Sequence, residues 1–350
     1  MKMDIQPGAV QTLGAPDSLI LSSGQVQYGH FDGPVKSFGL EHFRYTNVMD
    51  KPASHLARHF HFKQFQFVAI NTPRYVIGVA IADIRYAGTG FCYLYDIKAN
   101  RLVETTWLKP LAIGCQLADS PWSGLAQLAS GKGKVTIEIV EGIWQLNIDT
   151  AQIKADLQLT PMPLSLPMAM CNPTGYSGWT YTQKHNGLKV GGKLTIHHEP
   201  QPLNRALAGY DFSAGYMRRE TSWRWASING YQGDALIGLN LAAGVNETGC
   251  NENVFWINGE RHLLGPVHFA FRRAPKGDDD ASWQISSQDG RVELNFRPLN
   301  RRQEKLNLWL LKSNFRQYLG YFDGEIRDGQ GRTHHIDNLL GLTEDHFARW

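Results

Sequence analysis

Asp83 closes the apolar run 76–82 and is followed at once by Arg85 and Tyr86. A carboxyl set against an apolar wall holds its proton more tightly, because desolvation disfavours the anion. Such a group can act as general acid towards an alkene or an enol. The plainer reading is a strand-end carboxylate paired with Arg85 or capping a turn. Asn240, Glu252 and Asn253 form a second group, with Trp256 nearby. Asn240 interrupts Leu239-Asn240-Leu241, so on a strand it faces away from both leucines. A buried amide needs partners, either a ligand or a network between neighbouring strands. Glu252 is the second candidate for catalytic work, and Asn240, Asn253 and Trp256 are candidate ligand contacts.

The segment 176–193 gathers Trp179, Tyr181, Lys184 and His185. Tyr181 and Lys184 lie three apart and need not share a strand face. Lys184 is either a ligand-facing cation or a wet surface residue. Arg218 precedes the aromatic run Trp223-Arg224-Trp225. A guanidinium among aromatics binds a carboxylate or phosphate head group, or merely stacks. Trp225 joins it as a candidate ligand contact. His59 and His61 alternate and would share a strand face, whereas the pairs His197-His198 and His334-His335 would face opposite ways on a strand. None of these has the spacing of a recognised metal motif, so no metal and no cofactor is expected. Asp278-Asp279-Asp280 reads as a solvated loop. GxSxG, P-loop, strand-linked GxGxxG and HExxH signatures do not occur, which argues against serine hydrolases, P-loop NTPases and classical dinucleotide enzymes.

The elements that must position these residues are strands. Asp32-Gly33, Asn186-Gly187, Asn229-Gly230, Asn258-Gly259, Asp289-Gly290, Asp323-Gly324 and Asp328-Gly329 are hairpin-type turn signals, because these residues tolerate positive φ. Short runs rich in β-branched and aromatic residues lie between them. In 305–310, Leu306, Leu308 and Leu310 share one face; in 134–139, Val135, Ile137 and Ile139 do so. Such alternation means one buried and one wet face, as in antiparallel barrels and curved sheets. Helical signals are few. Residues 125–129 can form one turn. Thr343 can cap a short final helix over 344–349, with Glu344 and Asp345 near its N-terminus.

At 350 residues the chain suggests two domains, and a net charge of +3 with no Lys/Arg cluster gives no cause to expect nucleic acid. Residues 1–15 lack the pattern of a signal peptide, and no apolar run is long enough to span a membrane as a helix. The scattered Cys92, Cys115, Cys171 and Cys250 read as reduced thiols, and a cytoplasmic protein is expected.

Self-similarity is the most informative feature. The block 67–71 resembles 225–229, with Asn71 and Asn229 158 residues apart. Next, 77–82 resembles 237–242, with Gly78 and Gly238 160 apart. Then 93–96 resembles 255–258 at 162, and 142–148 resembles 290–296 at 148. The drop between the last two places about 14 extra residues in the first half, and 109–131 is the natural place for them. The expectation is a mainly β protein of two lipocalin-like antiparallel barrels or curved sheets arising by internal duplication. Residues 1–200 would form the first unit and 201–350 the second, ending in the short helix.

The stretch 67–96, with Ile81-Ala82-Asp83-Ile84-Arg85-Tyr86 and Tyr95-Asp96, resembles a bacterial family known only as a domain of unknown function. The blocks 221–227, 238–242 and 251–253 with Trp256 are similar to that family's other recurring blocks. More distantly, the two-barrel plan resembles the tandem-lipocalin group that contains carotenoid 1,2-hydratase and tocopherol cyclase. That resemblance implies acid chemistry on a long apolar substrate, but no catalytic residue of that group can be placed here. Two functions are therefore expected as alternatives. One is a cofactor-independent hydratase, isomerase or cyclase acting on a lipid or isoprenoid-like molecule. The other is a non-catalytic lipid carrier holding a small apolar ligand.

Overall fold

Alternation decides most of the strands. In 133–160 every second residue is buried: Val135, Ile137, Ile139, then Leu146 and Ile148, then Ile153, Ala155, Leu157 and Leu159. The intervening polar residues face water, which fixes the register, since a one-residue slip would invert both faces. Runs 65–71, 75–81 and 235–242 do not alternate, because both of their faces are covered. One face lines the unit's own core and the other meets the opposite unit.

A computed structural model of the chain describes residues 10–245, 248–273, 282–308 and 311–350. In chain order its strands are β1 (Thr12–Gly14), β2 (Gly29–Asp32), β3 (Lys63–Asn71), β4 (Tyr75–Asp83), β5 (Ala87–Asp96), β6 (Arg101–Pro110), β7 (Gly124–Ser130), β8 (Gly133–Val140), β9 (Ile143–Thr150), β10 (Ile153–Thr160), β11 (Met168–Thr174) and β12 (Gly178–Ile196). There follow β13 (Glu199–Pro200), β14 (Leu207–Gly215), β15 (Glu220–Gln232), β16 (Ala235–Ala243), β17 (Val254–Ile257), β18 (Glu260–Leu263), β19 (Val267–Ala270), β20 (Trp283–Ser287), β21 (Val292–Leu308), β22 (Leu311–Arg327) and β23 (Thr333–Arg349). One short helix, α1 (His55–His61), precedes β3, with the Ser54 hydroxyl accepting from the Ala57 amide.

The first sheet runs β6-β5-β4-β3-β14-β12-β10-β9-β8-β7, and the second β18-β17-β16-β15-β23-β22-β21-β20-β19. The first is a nearly closed barrel and the second a half-barrel, two lipocalin-like units. Each sheet is joined in its middle by pairing a late strand with an early one, β14 with β3 and β23 with β15. Leu19, Ile20, Val35 and Phe38 of the N-terminal segment are buried in the first barrel's core. The Phe38 ring lies 5.5 Å from those of Trp179 and Tyr181, so this lumen is filled by the chain itself.

Several expectations need correction. The first sheet extends through β14 to Gly215, beyond the expected boundary at 200. No helix forms over 344–349. Thr343 sits fully buried in the middle of β23, between Ala226 of β15 and Tyr318 of β22. Pairing on both sides overrides the local capping signal. Residues 125–129 likewise belong to β7. His59 and His61 are on a helix, where alternate residues point apart. His197-His198 make a turn, both at positive φ. Asn258-Gly259 is a two-residue hairpin turn, but Asn229-Gly230 lies inside β15, and Asn186-Gly187 is a bulge inside β12. The acidic run 278–280 lies outside the described residues.

Strands β3, β4 and β5 occupy the same places in their sheet as β15, β16 and β17 do in theirs. The fourth block of the repeat is out by one strand. It matches β9 with β21, whereas sheet order pairs β10 with β21. Alternating hairpin strands look alike, so a one-strand slip preserves the pattern. The extra first-unit strand is β7, within 109–131.

Candidate functional site

The candidate residues fall into three places. Asp83 and Tyr181 face into the first barrel. Asp83 follows the inward residues Ile77, Val79 and Ile81 and is itself buried. Its Oδ1 accepts from the Arg85 amide at 2.7 Å and its Oδ2 from the Arg85 guanidinium at 3.0 Å. Both oxygens are thus committed to Arg85. The Tyr181 hydroxyl donates to Gln183 at 2.7 Å, and Gln183 in turn donates to the Tyr210 hydroxyl at 2.7 Å. This is a satisfied core network, behind the N-terminal plug. Beside Asp83 lies Lys63, which sequence reading passed over. Burial, with Arg85 adding, pushes its ammonium down to about 8.

The second place is the seam between the units. Residue parity aims Thr182, Lys184, Asp211 and Ser213 out of the first barrel and Trp223, Trp225, Asn240 and Glu344 out of the second unit towards them. The buried Lys184 ammonium bonds Asp211 and lies 3.1 Å from Glu252. Burial alone would lower its pKa, but the two carboxylates override this and raise it. Trp225 donates to Asn240 at 2.7 Å, and Asn240 donates to the Glu252 carbonyl at 2.7 Å. Asn253 and Trp256 adjoin this network but are spent on backbone. Asn253 accepts from the Ala242 amide at 2.7 Å, and the Trp256 indole donates to the Leu166 carbonyl at 2.9 Å. Arg218 is elsewhere, exposed in the loop between β14 and β15, where its carbonyl accepts from the Trp350 indole.

The seam continues into a half-buried aromatic patch that sequence reading missed. Phe65 and Phe91 of the first unit and Trp223 of the second are half-buried there. Phe315 lies 6.4 Å from Phe91 and 4.9 Å from His346, whose ring is 4.2 Å from Trp223. At this wall stands Glu344. It accepts from the Trp223 indole at 3.1 Å and from the Gln317 amide at 2.7 Å. Burial nevertheless holds its carboxyl above the usual range, against the pull of these donors. Two polar atoms beside it, the Tyr93 hydroxyl and Gln317 Oε1, are fully buried with no partner among the described residues. Gly78 admits the Tyr93 ring, since a Cβ there would lie 2.3 Å from it. The signal for Glu344 was the alternation Leu340, Leu342, Glu344, His346, legible only once 333–349 is read as a strand.

His185 gives a pH handle on this region. It is buried, its Nε2 lies 2.8 Å from the Ser165 hydroxyl, and burial, then Arg261, pushes its pKa down to about 3. A depressed histidine stabilises the fold fully above the unfolded value and loses that contribution as pH falls below it. Acidification from pH 7.5 to 5 should therefore cost about 2 kcal/mol through this residue. Urea midpoints at the two pH values, for wild type and His185→Gln, check this; parallel pH dependences would sink it.

A surface groove of about 360 Å³ lies elsewhere, on the outer face of β9, β10 and β12, lined by Gln145, Asp156, Gln158 and Lys193. It contains none of these groups. The four cysteines are free. Among the described residues, no cluster of His, Cys, Asp and Glu could hold a metal, and no helix is long and apolar enough to cross a membrane.

Two lipocalin-like β units joined along a polar and aromatic seam define the class of protein. The chain belongs to the family described as a domain of unknown function (DUF2804), whose profile matches residues 11–350. No curated protein matches it. Among solved structures, the chain is similar to that of a Nitrosomonas europaea protein provisionally named AttH, at 11% identity and a TM-score of 0.49, over 87% of this chain and 98% of that one.

Proposed function

We propose that the protein is a cofactor-independent acid catalyst, a hydratase, isomerase or cyclase, acting on an apolar small molecule held at the aromatic patch between its units. The observation that carries this reading is Glu344, a carboxyl raised by burial at an aromatic wall and oriented by two donors. A carboxyl held above the usual range keeps its proton more readily, and a proton held in this way can be delivered to an alkene or enol. Tyr93 and Gln317 offer an unused donor and acceptor to a polar group formed on the product. Asp83 and Glu252 are structural and not proton donors in this reading, because Arg85 and Lys184 already occupy them. The aromatic surface favours an isoprenoid-like or lipid substrate, in keeping with the resemblance to the tandem-lipocalin hydratases and cyclases.

The test is solvent deuterium. Lipid extract from the native host is incubated with the protein in D2O and analysed by mass spectrometry. Wild type should place deuterium in one lipid class, and Glu344→Gln should bind that class without labelling it. Equal labelling by Glu344→Gln would remove Glu344 from the mechanism. Binding without labelling by wild type would leave a carrier instead.

A further inference from the structure

The inner face of the second unit carries a cationic cluster that the seam does not use. Asp345 is fully buried on β23. Its direct neighbours in register are Arg224 on β15 and Arg316 on β22, so the three form one row across adjacent strands. Arg316 donates to it at 2.9 Å, and the Arg224 Nε lies 3.6 Å away. Arg273, beyond β19, adds a bidentate pair at 2.8 Å and 2.8 Å. Burial would raise the Asp345 carboxyl, but Arg273 and the other two hold it below the usual range.

Three guanidinium groups therefore share one carboxylate. Among the described residues these three arginines and Asp345 carry an excess of two positive charges, with Arg224 and Arg316 mostly shielded from water. Shielded cations of this kind draw anions strongly, and guanidinium forks fit carboxylates. A second, independent observation points the same way. One row further in on the same face, the Thr343 hydroxyl is fully buried without a partner, and so is the indole N–H of Trp283. Both can donate to an acceptor. The flank is aromatic: Phe271 stacks on Trp283 at 4.0 Å, Trp283 lies 5.8 Å from Tyr318, and both Arg224 and Arg273 lie over Phe271.

We infer that the second unit binds a small organic anion here, a carboxylate with a flat apolar body. The carboxylate would meet Arg273, Arg224 and Arg316, and its body would lie against the half-buried edge of Phe271. The site is on the opposite face of β23 from Glu344 and does not depend on its role.

Calorimetric titration of the full chain with benzoate, benzamide and inorganic phosphate tests this. Benzoate should bind saturably below about 1 mM, while benzamide, of the same shape but uncharged, should not. Arg273 is half exposed, and its loss leaves Asp345 two partners, so Arg273→Gln should fold normally and weaken benzoate about tenfold. Thr343→Val, of equal size, should weaken it by a smaller factor. No saturable benzoate binding, or unchanged affinity in Arg273→Gln, overturns the inference. Phosphate binding without benzoate binding overturns the organic acid in favour of an inorganic oxyanion.

Discussion

Replacing Lys184 by methionine is expected to cost about 3–5 kcal/mol of folding stability, the usual penalty for stripping one partner from a buried ion cluster. Asp211 and Glu252 both face this ammonium in the seam, and Glu252 is almost wholly buried. Without it, two carboxylates would be left close together with no counter-charge. They would either protonate or draw water into the interface. A triple variant, Lys184→Met with Asp211→Leu and Glu252→Leu, should recover most of the loss, because an apolar seam carries no desolvation penalty. Urea unfolding of the two variants against wild type is the measurement. A loss under about 1 kcal/mol in Lys184→Met would show that water already screens the cluster.

Gly238→Ala should be nearly as damaging, for a steric reason. A Cβ at Gly238 would lie 2.7 Å from the Asn186 carbonyl carbon, 2.8 Å from its oxygen and 3.0 Å from the Gly187 nitrogen. These are backbone atoms, and they cannot swing aside. Asn186 is also pinned, its amide donating to Ser227 at 2.8 Å, the Leu239 carbonyl at 3.0 Å and the Ile228 carbonyl at 3.2 Å. Gly187 completes the hook by donating to Asn229 at 2.8 Å. The expected cost is about 3 kcal/mol, at the upper end for overpacking. Gly265→Ala, into open space, is the control. Loosened units should expose the connection between β14 and β15 to protease. If Gly238→Ala unfolds at the wild-type midpoint and is cut no faster, the hook does not hold the units together.

The scaffold was legible because strand patterns are local. Alternation and turn residues marked most strands, and the Gly78/Gly238 match picked out two positions that both face the seam. One admits the Tyr93 ring and the other the Asn186 bulge. What sequence could not tell was why those glycines stand there, since each answers to a residue on a distant strand. The same limit explains Asn186-Gly187 and Asn229-Gly230. Their dipeptides encode tolerance of a bulge or turn alike, and only the opposite unit decides between them. Among the candidate residues, Lys184, Glu252, Asn240 and Trp225 proved to be one connected group, of which the alternation Leu239-Asn240-Leu241 was the one parity signal read. Asp83 was singled out for its apolar run, but its partner Arg85, two residues on, takes both its oxygens. Glu344 and Asp345 were misjudged together. Read as a helix start, their carboxylates are a capping device; on a strand they point to opposite faces, one to each candidate site.

The pairs that join the two sheets in their middles also set an order of events for a chain emerging from the ribosome. Lys63 of β3 pairs with Gly215, and Glu220 of β15 with Arg349, so each sheet must wait for more than a hundred residues before it is joined. Contacts so distant along the chain make folding slow. Strands β3 and β15 stand with one edge unpaired meanwhile, the condition under which nascent sheets aggregate or recruit chaperones. Since Glu344 and Asp345 both arrive on the strand that joins the second sheet, neither site exists in any shorter intermediate. Whatever this protein binds, it meets only a finished molecule.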